Sequence, residues 1–284
     1  MGSPSDPGAA DWLGACRRSV GAIRGMLGDH PTIAERVRET GTRGGGGDRT
    51  LLIDEAAEDF VFAELEGLHS GGARFTAVSE ERGVVDFGST DVLVVIDPID
   101  GSTNAKRGLP HYALSVAVAH GDTMADVVFG FVQDFGPREE WVAWRGRGAQ
   151  LDGVRLDPGL GERRTRDGKL EVIGVESADP RWVMQSVDAL AEAAHRMRAI
   201  GAIAVSLCQV AAARFDAMAS LKRSRAVDAA AAQLIVRESG GQVAFIGAPG
   251  GPLGAPLDLE PHHPVVAART EAGLAAAATL PVWP

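Results

Sequence analysis

The sequence predicts a layered α/β protein, with an α+β N-terminal half, an α/β C-terminal half, and helix and sheet layers that alternate. Three observations predict it. Two helical patterns come before any strand-like run, short apolar β-rich runs then follow almost back to back from Phe75 to Arg145, and beyond Leu170 strand-like and helix-like segments take turns.

The first helix is expected over about Asp11 to Leu27, where Trp12, Ala15, Cys16, Ile23 and Met26 recur at helical spacing. Gly41 to Asp48 reads as a flexible loop, because its consecutive glycines hold no regular structure cheaply. A second helix is expected over about Asp54 to Gly67, with Ala57, Phe60, Val61, Ala63 and Leu65 as its apolar positions. Phe75–Val78 and the β-branched run Val92–Ile96 read as strands, the second a buried one. Ala113–His120, Val127–Asp134 and Glu140–Arg145 continue as strands, and Asp152-Gly153 is a hairpin-turn dipeptide. The polar stretch Asp157–Lys169 marks a boundary and divides the chain into residues 1–160 and 161–284. After it are expected a strand at Leu170–Val175 and helices at Arg181–Met197 and Ala202–Ala213. Then come a strand at Phe215–Ala219, a helix at Asp228–Ser239, a strand at Gln242–Phe245 and a final strand-helix pair.

A chain of 284 residues with 45% hydrophobic and 23% charged residues can bury a large core and reads as globular. Lys and Arg total 28 against 38 Asp and Glu, a net charge of −10, which disfavours nucleic acid as a partner while leaving room for a local phosphate site. Surface solubility accounts for the same charge. Cys16 and Cys208 form neither a disulfide framework nor a CxxC metal site. The N-terminus lacks the basic start and apolar core of a signal peptide, and no apolar run approaches the roughly 20 residues of a membrane span. A cytoplasmic enzyme is the expectation.

Chemistry concentrates in Asp97-Pro-Ile-Asp-Gly-Ser-Thr-Asn104. The run Val92–Ile96 would deliver Asp97 to the end of a strand, where ligands collect in sheet proteins. Pro98 fixes the next step, and a tight turn would aim Asp97 and Asp100 at one point with the Ile99 carbonyl between them. Oxygen donors so grouped suit a hard divalent cation. Gly101 permits close backbone approach, and Ser102 and Thr103 offer amides and hydroxyls to an anion. A turn with a capping Asp is the plainer explanation, but two carboxylates, a Pro and a Gly-Ser-Thr tail seldom coincide for that purpose.

This run resembles the first signature of the inositol monophosphatase family of lithium-sensitive, Mg²⁺-dependent phosphatases, which stand with the fructose-1,6-bisphosphatases. Ser79-Glu80-Glu81 resembles the family's double-Glu segment, and Asp48–Asp54 its early segment ending in a catalytic Asp. Ala226-Val-Asp228 through Gly241 resembles its second signature, so the likeness runs from about Arg43 to Arg269. Taken alone, Glu80-Glu81 is an ordinary acidic pair. Asp54 and Asp228 are equally suited to capping the helices that follow them, and Gly240-Gly241 to ending one.

The resemblance implies a phosphomonoesterase using two to three Mg²⁺, with Mn²⁺ able to substitute. Glu80, Asp97 and the Ile99 carbonyl would hold one ion, and Asp97, Asp100 and Asp228 a second. Asp54 and Thr103 would activate the water, with a third ion between Asp54 and Glu80, and Gly101, Ser102 and Thr103 would bind the phosphate. Residues 1–160 would be the metal- and phosphate-binding subdomain, and 161–284 would supply Asp228 and substrate contacts. The expected partners are a small phosphorylated substrate and, by family likeness, a second copy in a homodimer; no nucleic acid and no membrane are expected.

Departures from the animal-type pattern bear on the substrate. Val227 stands where those enzymes carry Trp, and Ala219–Arg225, with Leu221, lacks their substrate-binding Glu. Arg225-Ala-Val-Asp228, Ser79–Asp86 and Gly108–Ala113 resemble instead the archaeal-type enzymes acting on both fructose 1,6-bisphosphate and inositol monophosphate. Lys222, Arg223 and Arg225 are suited to a second phosphate, or equally to a solvated basic turn. His262-His263 lacks the further ligands of a zinc site. Trp141 and Trp144 read as packing or a subunit contact. Gly44–Gly47 is no P-loop; by likeness it would close over the metals.

Two further readings stand beside the main one. A nucleotide 3′-phosphatase or NADP phosphatase would keep the same chemistry. A catalytically silent scaffold would have lost ligands, yet Asp54, Glu80, Asp97, Asp100, Thr103 and Asp228 are all present.

Overall fold

The computed structural model describes residues 10–30, 36, 39–43 and 49–283. Gly44–Gly47 and Asp48 therefore lie outside the described residues.

Helix α1 (Trp12–Asp29) opens on Asp11, whose carboxylate accepts the Gly14 N–H, and buries Trp12, Cys16, Val20, Ile23 and Leu27 along one face. Residues 41–43, expected as loop, belong instead to strand β1 (Glu39–Arg43), which pairs antiparallel with β2 (Arg49–Leu51). Helix α2 (Leu52–Ser70) lies against α1 and turns Ala57, Val61, Phe62 and Leu65 inward.

The large sheet contains β3 (Thr76–Ser79), β4 (Gly83–Asp86), β5 (Leu93–Asp100), β6 (Ala113–Ala119), β7 (Val127–Asp134), β8 (Glu139–Trp144), β9 (Gly148–Leu151) and β10 (Val154–Arg155), with a short helix α3 (Ser102–Arg107) between β5 and β6. Its spatial order is β10-β9-β8-β7-β6-β5-β3-β4, antiparallel throughout except where β3 runs parallel to β5. Asp152 and Gly153 turn β9 into β10 with φ of 49° and 76°, the left-handed pair that a two-residue hairpin requires.

The second sheet contains β11 (Leu170–Glu176), β12 (Ala194–Arg198), β13 (Ala217–Ser220), β14 (Gln242–Phe245) and β15 (Val265–Ala268), ordered β12-β11-β13-β15-β14. Its helices are α4 (Pro180–Gln185), α5 (Val187–Ala193), α6 (Ile203–Ala211), α7 (Ala226–Glu238) and α8 (Glu271–Ala277). The single helix expected over Arg181–Met197 is thus corrected to two short helices and a strand. Ala194–Arg198 pairs parallel with β11, and that ladder overrides the local helical pattern.

Three apolar clusters show how the layers stack. One joins α1 and α2 to a face of the large sheet, one joins its other face to α6 and α7, and one lies between the second sheet and α4, α5 and α8. Helix α7 can lie directly on β7 because Ala229–Ala232 are buried and small, and because residue 130 is glycine. A Cβ at Gly130 would stand 2.5 Å from the Ala231 carbonyl oxygen. The Glu238 carboxylate adds a polar tie, accepting the Gly146 and Gly148 N–H groups at 2.8 Å each. Trp141 is 0% exposed, so packing, not a subunit contact, accounts for it. Cys16 and Cys208 are both buried free thiols. Among the described residues no helix is long and apolar enough to cross a membrane.

Candidate active site

The strand β5 runs on through Asp100, so the two acids sit on a bulged strand and not in the tight turn expected. Asp97 pairs with Ser115 and Asp100 with Ala113, three residues against two. The extra residue matters because i and i+3 of a regular strand face opposite ways, and a bulge changes that parity. Pro98, which has no N–H to give a ladder, falls inside the bulge. Gly101 then turns the chain with φ of 85°, packed so closely that a Cβ would stand 3.0–3.1 Å from Ala202 Cβ and the Gly201 and His111 carbonyls. Helix α3 starts at Ser102, where Asn104 and Ala105 donate back to the Gly101 carbonyl. The N–H groups of Ser102 and Thr103 are the orphan donors of that helix start.

Other elements bring two further acids to this wall, Glu80 after β3 and Asp228 in the first turn of α7, while Asp54 is buried in the first turn of α2. Ile99 is buried between Asp97 and Asp100. Asp228 does cap its helix, accepting the Arg225 N–H at 3.0 Å, while its other oxygen stands 3.2 Å from the Arg225 guanidinium. The same guanidinium is 2.8 Å from Glu80. Asp97 Oδ1 accepts the Ile99 N–H at 3.0 Å and Asp100 Oδ2 the Ala204 N–H at 2.7 Å.

The electrostatics follow from this crowding. Burial holds the Asp97 carboxyl well above its usual range, and Glu80, Asp100 and Asp228 push it further, with Arg225 opposing. Asp100 is raised likewise by burial and then by Asp228, against its Ala204 hydrogen bond. Burial also raises Glu80, Arg225 opposing and Asp228 adding. Burial by itself lowers Arg225, but Asp228, Glu80 and Asp97 outweigh it and hold the guanidinium above its ordinary value.

Arg225 is therefore a stand-in cation among carboxylates, and the donor set fits divalent metal. The acids are all hard oxygen donors, Asp97 and Asp100 buried and Glu80 and Asp228 half-buried, and they repel one another, which is the environment Mg²⁺ neutralises. Among the described residues no group of three acids, His or Cys is drawn together as a finished metal sphere. Each of Asp97, Asp100 and Asp228 spends an oxygen on a backbone N–H, and Glu80 pairs with Arg225.

The basic trio expected from the sequence is divided. Arg225 points inward to Glu80 and Asp228, whereas Lys222 and Arg223 are exposed on the link between β13 and α7. Leu221 and Val227 are buried in the core. His262 is paired with Asp258 at 2.8 Å and His263 with the Ile246 carbonyl, so neither reaches this wall.

Beside the acids opens a cleft of about 500 Å³, lined by Asp100, Thr103, Asn104, Glu176, Ser177, Ile200, Gly201 and Asp228 among others. Two of its residues went unassigned in the sequence. Asn104 donates to the His111 and Ile200 carbonyls at 2.9 and 2.7 Å and so joins the two halves. Glu176 ends β11; an acid closing an apolar strand is the signal that marked Asp97, and it was there to be read.

Carboxylates at strand ends, a cation held among them and helix amides beside the cleft suit the class of phosphoryl-handling hydrolases on a layered α/β fold. The chain belongs to the inositol monophosphatase family, whose model matches residues 16–281, and by class it is a phosphoric monoester hydrolase. It is 36% identical over 211 residues, 70% of this chain and 72% of the relative, to a fructose-1,6-bisphosphatase/inositol-1-monophosphatase of Methanothermobacter thermautotrophicus. It is also 33% identical over 206 residues to a protein named Nus factor SuhB from Haemophilus influenzae, covering 71% and 73% of the two chains. The solved structure of an inositol monophosphatase-fructose 1,6 bisphosphatase superimposes with a TM-score of 0.77 at 24% identity, covering 94% of this chain and 98% of that one. An extragenic suppressor protein suhB from Bartonella henselae gives 0.74 at 24% identity, covering 94% and 96%. At those identities the structural likeness speaks to the fold alone.

Proposed function

We propose that this chain hydrolyses small sugar or inositol phosphates, inositol monophosphate and fructose 1,6-bisphosphate foremost, by Mg²⁺-activated water. The observation that carries the reading is the guanidinium of Arg225 held between Glu80 and Asp228, beside buried Asp97 and Asp100: a cation seat already built. Its support in sequence is the likeness to the Methanothermobacter enzyme, whose name contains both activities.

In this reading Glu80, Asp97 and the Ile99 carbonyl would hold one Mg²⁺, and Asp97, Asp100 and Asp228 a second, with Mn²⁺ able to substitute. Asp54 and Glu80 would hold a third. The bound metal supplies a water acidic enough to attack at neutral pH and neutralises charge on the phosphoryl oxygens. Asp54 and Thr103 would orient that water, and the Asp54 carboxylate would take its proton directly or through the Thr103 hydroxyl, which is why no histidine is required. Ser102 and Thr103 give their N–H groups to the phosphate, with Gly101 permitting the approach. Residues 1–160 act as the metal- and phosphate-binding subdomain and 161–284 bring Asp228 and the contacts to the leaving alcohol. With Arg225 turned to the acids, a second phosphate would fall to Lys222 and Arg223. A cytoplasmic homodimer completes the reading, on family likeness.

The test is phosphate release from inositol 1-phosphate and fructose 1,6-bisphosphate by the purified chain with Mg²⁺. Release from at least one, lost on chelation, is expected. No release from either, or release that survives chelation, defeats the reading; preferential release from an adenosine 3′,5′-bisphosphate would move the substrate to the nucleotide class.

A further inference from the structure

The cleft that Thr103 lines is also lined by Ile200, Gly201 and Ile203, whose backbone carries a second array of N–H groups. It belongs to the turn that enters α6 (Ile203–Ala211). Left open, such an array with the positive end of a helix behind it attracts an anion. Here it is filled from within the chain. Glu176 takes the Ile200 and Gly201 N–H groups, one on each carboxylate oxygen, both at 2.9 Å. Ser206 Oγ donates to Glu176 Oε1 at 2.5 Å, and Asp100 takes the Ala204 N–H at 2.7 Å. Glu176 is 2% exposed yet belongs to the cleft wall.

The aim of this side chain is over-determined. Ser177, the next residue, has φ of 54°, a left-handed conformation that costs a non-glycine residue about 1–3 kcal/mol. From the far side Asn104 holds the Ile200 carbonyl at 2.7 Å. A turn that needed only to be anchored would be served by a neutral acceptor, without the desolvation cost of a charge. A carboxylate does one thing a neutral acceptor does not: it fills the array with negative charge.

We propose that Glu176 determines substrate specificity as a built-in anion. By occupying the N–H groups at the entry to α6, it refuses an anionic group of the substrate on this wall of the cleft. The inference rests on the phosphatase reading for its substrate terms, and its central test does not require turnover.

Inorganic phosphate is titrated calorimetrically into the Mg²⁺-loaded chain and into Glu176→Ala and Glu176→Ser, each of which vacates the place and removes the charge. Each variant is first checked for a cooperative thermal transition; if Ala does not fold, Ser decides. One phosphate more per chain than the unsubstituted protein is expected. The same stoichiometry and affinity in a folded variant overturns the proposal, as does a lowered melting temperature with no phosphate gained, which is what a purely structural Glu176 predicts. In kinetics, kcat/KM for the bisphosphate relative to the monophosphate should rise about tenfold, through KM, as expected for one gained charge-assisted contact; an unchanged ratio counts against it. Failure of the unsubstituted chain to hydrolyse either substrate would defeat the phosphatase reading and leave the phosphate titration to decide this one.

Discussion

Two sets of buried carboxylates share this cleft and meet burial in opposite ways. Along the β5 wall, Asp97, Asp100, Glu80 and Asp228 are one another's neighbours, so burial and repulsion act together. Arg225 relieves Glu80 and Asp97, and the Ala204 N–H relieves Asp100. Glu176 is raised by burial too, but its neighbours are donors, and Ser206, Ile200 and Gly201 oppose the effect. In the proposed mechanism the first arrangement exchanges its counter-cation; the second has nothing to exchange. Residue type does not distinguish them, only what faces each oxygen.

The sharpest way to break this contrast is Asp100→Asn. In the proposed mechanism it removes a metal ligand and lowers kcat/KM by about a thousandfold, the several kcal/mol of charge stabilisation a metal provides. Without metal the same change removes repulsion, so the melting temperature in chelator should rise. Loss of activity together with a fall in that temperature would contradict the repulsive wall.

Arg225→Ala probes the same wall from the cation side. Leaving buried carboxylates without their partner costs about 3 kcal/mol, so the chelated protein should melt several degrees lower. Mg²⁺ no longer competes with an internal cation and should bind several-fold tighter in calorimetry. Equal or weaker Mg²⁺ binding would remove Arg225 from its place as stand-in.

The smallest effect is in pH. Glu176 has a folded-state pKa raised above its ordinary value of 4.5, so the folded chain holds that proton more tightly than the unfolded chain. Its contribution to stability therefore falls as pH rises from 4.5 through the raised value and is level beyond it. Melting temperatures of the chelated wild type, scanned upward from about pH 4, should decline more steeply across that window than those of Glu176→Gln. Parallel curves would show that Glu176 does not titrate there.

Much of this was legible in the chain. Val92–Ile96 could only be a buried strand, and the acids that follow it stand where ligands collect. Misreadings came where long-range pairing outweighed local pattern. Ala194–Arg198 looks helical beside its neighbours until β11 offers it a parallel ladder. Asp97-Pro-Ile-Asp100 looks like a turn until β6 pairs with it on both sides of a bulge. Arg225 reads along the chain equally as a phosphate ligand or as part of a solvated basic turn, since nothing there shows Glu80 lying 2.8 Å from it.

By itself, then, the sequence determined the chemistry: oxygen donors grouped by type and spacing, glycine where backbone must approach, and apolar periods that decide helix or strand. Those are local properties, encoded by neighbours within a few residues. Tertiary structure alone decided which acid faces a cation and which faces amides, because Glu80, Asp100, Glu176, Ala204 and Arg225 come from separate elements. Charge in a protein interior is governed by distance in space, and only folding sets that distance.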